Sequence, residues 1–512
     1  MTRTPLEPLV PYDQSLVWSL QDAYFAGRGH ELWDKGEIPF QATSILAAAQ
    51  EHARFVADHV AKFRPGTDAV EIVEVGCGNG MFAQNFLRAL ERSRRPNDRA
   101  LFRRIRYVVT DWTADKPMGV LERPLVQGYV RDGKLAGAIV DMRHPWLLVE
   151  FDGFERALAP AVLIANYVIC VLTPKVMHKS LIGAWFERYS RLTAQGEGDP
   201  EAMLADLTTR AAGSGDSTDV VLEDQWVHTT PEAVFGPDVG AGVRDAVADL
   251  KEATFSLSPV FLKALREMKK VGALVLVNDF GWPRLSDLAS LRPCQAIRYG
   301  LAMSHAVDFA IYDGVAPRLG LELVRSLDVK RSVRVMAFAP ELDAGLFQRS
   351  YKGTPGDDWL DLQGAGRLFF DQKDAIRAVR TFGHCLEVDP LDAELRYRHA
   401  QACIEARVFD DARDSIQVGA SVEPGLDWDF VHGRLAHAMQ RFDEAVAAFR
   451  ASVARDDSLI GWLNLAMALE DATQETEARI VYKRVLERDP TNTLARRGLM
   501  SLGEEGEVRV FQ

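Results

Sequence analysis

The stretch from Val73 to Phe82 limits the fold more than any other, because it joins an apolar run to a glycine turn and then to a helical pattern. Residues 69–75 carry Val70, Ile72, Val73 and Val75, the make-up of a buried strand. Residues 81–90 set Phe82, Phe86, Leu87 and Leu90 at helical spacing. Between them stands Glu74-x-Gly76-x-Gly78-x-Gly80. Glycines permit a sharp turn and a close backbone approach, and a helix start offers free N–H groups, so the unit reads as a nucleotide-type binding turn rather than a decorative one. Its last two glycines are two positions apart, where the dinucleotide fingerprint wants three.

A second apolar run, residues 106–110 with Tyr107, Val108 and Val109, ends on Asp111. In doubly wound folds an acid at this strand end accepts both ribose hydroxyls, although a simple strand-end cap would also place one there. The interval from Gly80 is long, and the locally basic segment from Arg92 to Arg106 fills it as a solvated helix end would. With its leading acid and short glycine spacing, the motif resembles motif I of class I S-adenosylmethionine (SAM) methyltransferases. The resemblance implies SAM as cofactor, held by Glu74, Gly76, Gly78, Gly80 and Asp111. Asp141, closing a further strand pattern, is placed against the adenine amine, or else serves as a turn cap.

At 512 residues the chain has room for two or more domains. A net charge of −13 argues against general nucleic-acid binding, which depends on neutralising phosphates. The five cysteines (Cys77, Cys170, Cys294, Cys385, Cys403) are scattered without ligand spacing, which suits a reducing compartment and points to no metal site. The first residues lack the apolar core of a signal peptide, and no apolar run approaches a membrane span of about 18 residues, so a cytoplasmic protein is expected.

The chain changes character near 340–358. The segment 348–358 is polar and rich in Gly and Pro, as a linker is. Beyond it small residues recur at Ala378, Ala412, Ala445 and Ala478, at intervals of 34, 33 and 33. Four positions after each stands a bulky residue: Phe382, Ile416, Phe449 or Tyr482. Twelve after comes Pro390, Pro424, Asp457 or Pro490, and twelve before comes Gly366, Ala400, Gly433 or Ala466. Small residues let paired helices approach, the bulky one fills the gap, and proline ends the second helix. The period is that of tetratricopeptide (TPR) hairpins. Four such repeats, closed by a capping helix at 491–502, form a curved surface suited to a protein or peptide partner, or pack only as a stabiliser.

Before the linker, strand patterns fall at 124–130 and 134–141 around an Asp132-Gly133 hairpin signal, then at 161–171, 273–277, 321–327 and 332–338. The insertion at about 178–256 reads as mostly helical, with helices at 180–192 and 200–211. The expected architecture is therefore an α/β Rossmann-like domain over 1–340, with a doubly wound, mostly parallel, seven-stranded sheet. A linker over 341–358 and an all-α array over 359–512 follow. Glu74, Asp111, Asn166 and Asp279, at strand ends, are expected along one edge of one cleft.

The order of elements resembles the MidA-like family of SAM-dependent methyltransferases, whose mitochondrial members methylate an arginine on a complex I subunit. Residues 24–30 and 39–44 match its region ahead of motif I, Ala165 and Asn166 its Ala-Asn-Glu strand, and Asp279, Phe280 and Gly281 its Asp-Tyr-Gly strand end. The resemblance adds Asn166 to the cofactor-binding set. Two acids of the family pattern are replaced by Tyr167 and Cys170. Carboxylates would grip a guanidinium in a bidentate manner, so their loss sets this chain apart from arginine methylation. Methyl transfer mainly needs alignment of acceptor and methyl; Asp279 and then His305 are the candidate general bases, if one is needed. The expectation is a SAM-dependent methyltransferase acting on a protein or peptide acceptor brought by the repeats. The alternative is an inactive scaffold whose repeats carry the function. An NAD enzyme and a small-molecule methyltransferase stand further back.

Overall fold

The computed structural model describes residues 2–28, 44–213, 220–289, 296–299, 302–326, 333–351, 356–388 and 392–503. The chain forms two compact units, Met1–Asp357 and Asp358–Gln512.

The first unit is built on a large sheet whose strands are numbered in chain order. They are β1 (Val70–Val75), β2 (Ile105–Asp111), β3 (Leu135–Ile139), β4 (Leu147–Val149), β5 (Glu155–Ala157), β6 (Val162–Asn166), β7 (Leu274–Trp282), β8 (Glu322–Arg325) and β9 (Val333–Ala339). Their spatial order is β8-β9-β7-β6-β1-β2-β3-β4-β5, with the short strand Val307–Asp308 beside the far end of β7. The five central strands, β7 to β3 in that order, run parallel. The β8–β9 pair and the β4–β5 hairpin add antiparallel flanks. The sheet is thus wider than the seven strands expected.

Parallel strands buried on both faces are apolar throughout, and here alternate residues feed two separate cores. Val73, Val75, Leu163, Ala165, Val275 and Val277 face one side; Val70, Ile72, Val162, Ile164, Leu274 and Leu276 face the other. The second side is covered by the helices Leu46–Phe63 and Met81–Arg92, the first by Pro259–Lys270.

Three local expectations are corrected. Residues 124–130 are not a strand but helical turns (Pro124–Val126 and Gln127–Arg131), and Asp132-Gly133 ends the second of these with N–H groups returned to Gly128 and Val130 carbonyls. The insertion at 178–256 is not mostly helical. Residues 180–192 enter the strand Trp185–Gln195, the centre of a second sheet with Arg3–Pro5, Val10–Pro11, Lys175–Lys179, Ala253–Leu257 and Val220–Thr229. Hydrogen bonds to strands on both sides hold these residues extended, against their local pattern. The helix Pro200–Gly213 stands as expected. Within the segment taken as linker, Asp343 caps a helix Ala344–Ser350 whose Phe347 packs against Phe55 with ring centroids 5.4 Å apart; residues 352–355 lie outside the described residues.

The second unit is a run of helix pairs: Gly356–Asp371 with Ala375–Val388, Ala393–Glu405 with Phe409–Val422, Trp428–Ala438 with Phe442–Arg455, and Leu459–Asp471 with Glu475–Arg488, followed by Thr493–Ser501. Ala378, Ala412, Ala445 and Ala478 are wholly buried. A carbon added at Gly366 or Gly433 would come 2.6 Å or 2.7 Å from the ring of Phe382 or Phe449, the small-against-bulky contact expected from the repeat. Pro390 lies outside the described residues. A further recurrence went unread: Lys373, Arg407, Gln440 and Thr473 all take the left-handed conformation, with φ of 59–61°. Each closes its hairpin by a Schellman-type bond, as when Arg441 N–H donates to the Ala436 carbonyl at 2.9 Å.

Replacing Gly433 by valine should push on the Phe449 ring and destabilise the second unit by about 1–3 kcal/mol. Urea unfolding followed by far-UV circular dichroism would register this, and the paired change Phe449→Leu should recover part of it.

Candidate functional site

The strand order of the large sheet reverses between β1 and β6, and in open α/β sheets a crevice forms there outside the carboxyl ends of the strands. A cavity of about 390 Å3 occupies it. Gly76 follows β1, Asp111 ends β2, Asp141 follows β3, Tyr167 follows β6, and all four line the cavity. The opposite wall comes from the amino-terminal helix Val17–Arg28 and the residues before it, including Trp18, Asp22 and Phe25.

At Gly76 the backbone has φ of 66°, and a side-chain carbon would lie 2.7 Å from Val168 Cγ2, so glycine is required twice over. Gly80, φ 75°, starts the helix Met81–Arg92 in a space closed by Val120. Gly78 and Gly80 shape the turn but do not line the cavity.

Asp111 is 4 % exposed. Its Oδ1 accepts the Trp112 N–H at 2.9 Å and lies 3.4 Å from Lys116 Nζ, in an equally buried ion pair. Burial raises its carboxyl pKa, with Lys116 opposing. Its Oδ2 accepts no hydrogen bond from the described residues and remains for a ligand. Asp141 is gripped by Arg143, whose Nε donates to both carboxylate oxygens at 2.9 and 3.0 Å. Partial burial would raise the Asp141 carboxyl, but these bonds outweigh it and hold it below the ordinary value. Arg143 also reaches Asp22 at 3.2 Å, tying the amino-terminal helix to the strand ends. Burial, aided by the Asp141 charge, raises Asp22 against the pull of Arg143.

Tyr167 carries a φ of 60°, the one non-glycine residue of the first unit in the left-handed region among those described. Its N–H donates to the Asn278 carbonyl at 2.8 Å, and its ring lies 5.7 Å from that of Phe280. A strained backbone at a cavity wall is the kind of feature that persists when the surroundings fix it.

The expectation of four acids and amides along one cleft edge is corrected: of Glu74, Asp111, Asn166 and Asp279, Asp111 alone lines the cavity. Glu74 is buried within β1, where Tyr107 of β2 donates to its Oε2 at 2.9 Å. Asn166 accepts from Asn278 Nδ2 at 3.1 Å and sits away from the cavity. Asp279 is wholly buried; its carboxylate accepts the backbone N–H groups of Cys170 and Phe280 at 3.0 and 2.9 Å, anchoring the turn Ile169–Val171. His305 is also buried off the cavity, with Nε2 3.0 Å from the Tyr12 hydroxyl and its ring against Trp18. Burial, with Arg188 adding, lowers its pKa to about 3, so it supports the cavity wall as a neutral ring. Four further residues that line the cavity were not singled out in the sequence: Lys116, Arg143, Asp22 and Trp18. No motif or spacing in the sequence pointed to them; of the regions matched ahead of motif I, residues 29, 30 and 39–43 lie outside the described residues. Among the described residues no group of His, Cys, Asp and Glu is placed to hold a metal, and no helix is long and apolar enough to cross a membrane.

Burial raises the Glu74 carboxyl to about 8, against an ordinary 4.5. A carboxyl raised on folding stabilises fully below its unfolded value and loses that contribution as pH climbs from about 4.5 to about 8. Glu74→Gln, which cannot ionise, should therefore narrow the gap in Tm between pH 5 and pH 8 in thermal unfolding. An unchanged gap would clear Glu74 of any part in the pH response.

The tetratricopeptide repeat family profile matches residues 461–492. No match is found among curated proteins. Among solved structures, the chain is similar to a COG1565 superfamily member from Burkholderia thailandensis crystallised with S-adenosyl-homocysteine, at 14 % identity and TM-score 0.42, covering 67 % of this chain and 91 % of that one. It is also similar to the CurJ carbon methyltransferase (10 % identity, TM-score 0.27, 58 % of this chain and 55 % of that one). YrrB, a TPR protein with an unusual peptide-binding site, is similar at 16 % identity and TM-score 0.23, covering 28 % of this chain and 74 % of that one.

Proposed function

We propose that the cavity binds S-adenosylmethionine and that the chain is a methyltransferase whose repeats bring a protein or peptide acceptor. The observation that carries this reading is the convergence of Gly76, Asp111, Asp141 and Tyr167, from four separate strand ends, on one cavity at the point of strand reversal. In this reading the glycine turn lets the cofactor approach the backbone, the open Oδ2 of Asp111 takes the ribose hydroxyls, and Asp141, steadied by Arg143, faces the adenine. Glu74, Gly78, Gly80 and Asn166 shape the site from behind. The transfer is a displacement at a sulfonium carbon, for which alignment is the main requirement. Trp18, Phe25, Trp112 and Tyr167 supply the aromatic walls that exclude water and orient the acceptor.

A scaffold without activity is the second reading. It is favoured by one observation: Asp279 and His305, the two candidate bases, are both buried off the cavity, and Asp111 and Asp141 are each already paired with a cation. The readings part on cofactor binding and on turnover.

Calorimetric titration of the full chain with SAM, with NAD as control, should give saturable binding to SAM alone. Asp111→Ala should weaken it by about 1.5–3 kcal/mol, the loss of charge-assisted hydrogen bonds. Gly76→Val should abolish it while the helical unit keeps its unfolding transition. A folded protein that ignores SAM would remove the proposal; SAM binding without transfer to any peptide retained by the repeats would favour the scaffold.

A further inference from the structure

Arg92 and its basic neighbours meet an arginine of a second helix in the first unit. The helix Leu46–Phe63 contributes Arg54, the helix Met81–Arg92 contributes Arg88 and Arg92, and the connector after it contributes Arg95. All four line one cavity of about 220 Å3, with Asp98 the one acid on its wall among the described residues.

Two of the four guanidinium groups have no acidic partner among the described residues. Arg95 is committed to Asp58 at 2.6 Å and to Asp98 at 2.9 Å, and the Ser93 hydroxyl also donates to Asp98. Arg54 and Arg92 take no ion pair among the described residues. Arg88 is only 8 % exposed yet lines the cavity. The helix Pro96–Arg104 begins at the same wall and adds the positive end of its dipole. In a chain of net charge −13, guanidinium groups from three elements are gathered around one hollow, where an anion would offset their like charge. The planar donor fork of arginine matches the oxygens of a phosphate group, whose two negative charges equal those of Arg54 and Arg92.

We propose that this cavity is a binding site for a phosphate group, held by Arg54 and Arg92 with Arg88 beside them. It is separate from the strand-end cavity: Gly80 and Arg92 stand at opposite ends of one helix, about 18 Å apart at 1.5 Å per residue. The proposal does not depend on methyl transfer.

The full chain would be titrated with inorganic phosphate by calorimetry at low ionic strength, against chloride at matched ionic strength. In parallel it would be floated with phosphatidylcholine vesicles that contain or lack phosphatidic acid. Saturable phosphate binding is expected, weakened about tenfold or more in Arg54→Gln/Arg92→Gln. The exposed pair Arg99→Gln/Arg103→Gln should leave it unchanged, and SAM affinity should be the same in all three proteins. Binding to phosphatidic acid vesicles alone, lost in the first variant and kept in the second, would also support the site and make a lipid headgroup the source of the phosphate. No binding in either arm, or equal losses in the two variants, would overturn the proposal. Circular dichroism of each variant keeps misfolding apart from lost binding.

Discussion

The reversal of strand order between β1 and β6 is the constraint on which the first unit turns. Two parallel neighbours whose connections leave in opposite directions cannot both be roofed by their own following helices, so a crevice is left open at their carboxyl ends. The glycine turn after β1, the acid closing β2 and the strained Tyr167 after β6 all owe their position to that gap. The remaining wall has to come from elsewhere in the chain. The amino-terminal helix supplies it, held by Gln21, which donates to the Val171 carbonyl at 3.1 Å and accepts the Met303 N–H at 2.7 Å.

The buried polar groups fall into two electrical classes. Glu74, Asp279, Asp308 and His305 sit in dry surroundings that disfavour their charged forms, pushing the three carboxyls up to about 8, 6 and 7 and the imidazole down to about 3. Each serves as a hydrogen-bonded strut. Asp111, Asp141 and Asp22 instead line the cavity, each against a cation: Lys116 for Asp111, and Arg143 for both Asp141 and Asp22. Asp141 and Asp22 also keep partial access to solvent; Asp111, as buried as the struts, differs from them by its fixed counter-charge, Lys116.

What could be read from the sequence follows the same physics. The turn at Gly76 to Gly80 was legible because it is local, a strand, a turn and a helix start within about a dozen residues, and Asp111 because it directly ends an apolar strand run of its own. The repeats were legible because one steric solution recurs, small residue against bulky residue. The left-handed hairpin residues escaped notice because none is glycine: Lys373, Arg407, Gln440 and Thr473 share a backbone state and no side-chain chemistry. The second sheet was illegible for the opposite reason. Trp185–Gln195 is held extended by partners as distant as Arg3–Pro5 and Val220–Thr229, and no window of neighbouring residues contains that information. Asp279, at a strand end, and His305 had the right chemistry, but their burial depends on packing from far along the chain.

That long reach bears on how the protein is made. Leu192 N–H donates to Glu7, 185 positions away, and the Tyr12 hydroxyl meets His305 across 293 positions. Residues that leave the ribosome first therefore wait for partners that leave it much later, since contacts of such separation form only after most of the intervening chain is available. The parallel strands can assemble without them, but the cavity has no second wall until residues near 305 emerge. Its closure therefore waits until more than half of the chain has left the ribosome, and until then Trp18 lacks the His305 ring that covers it.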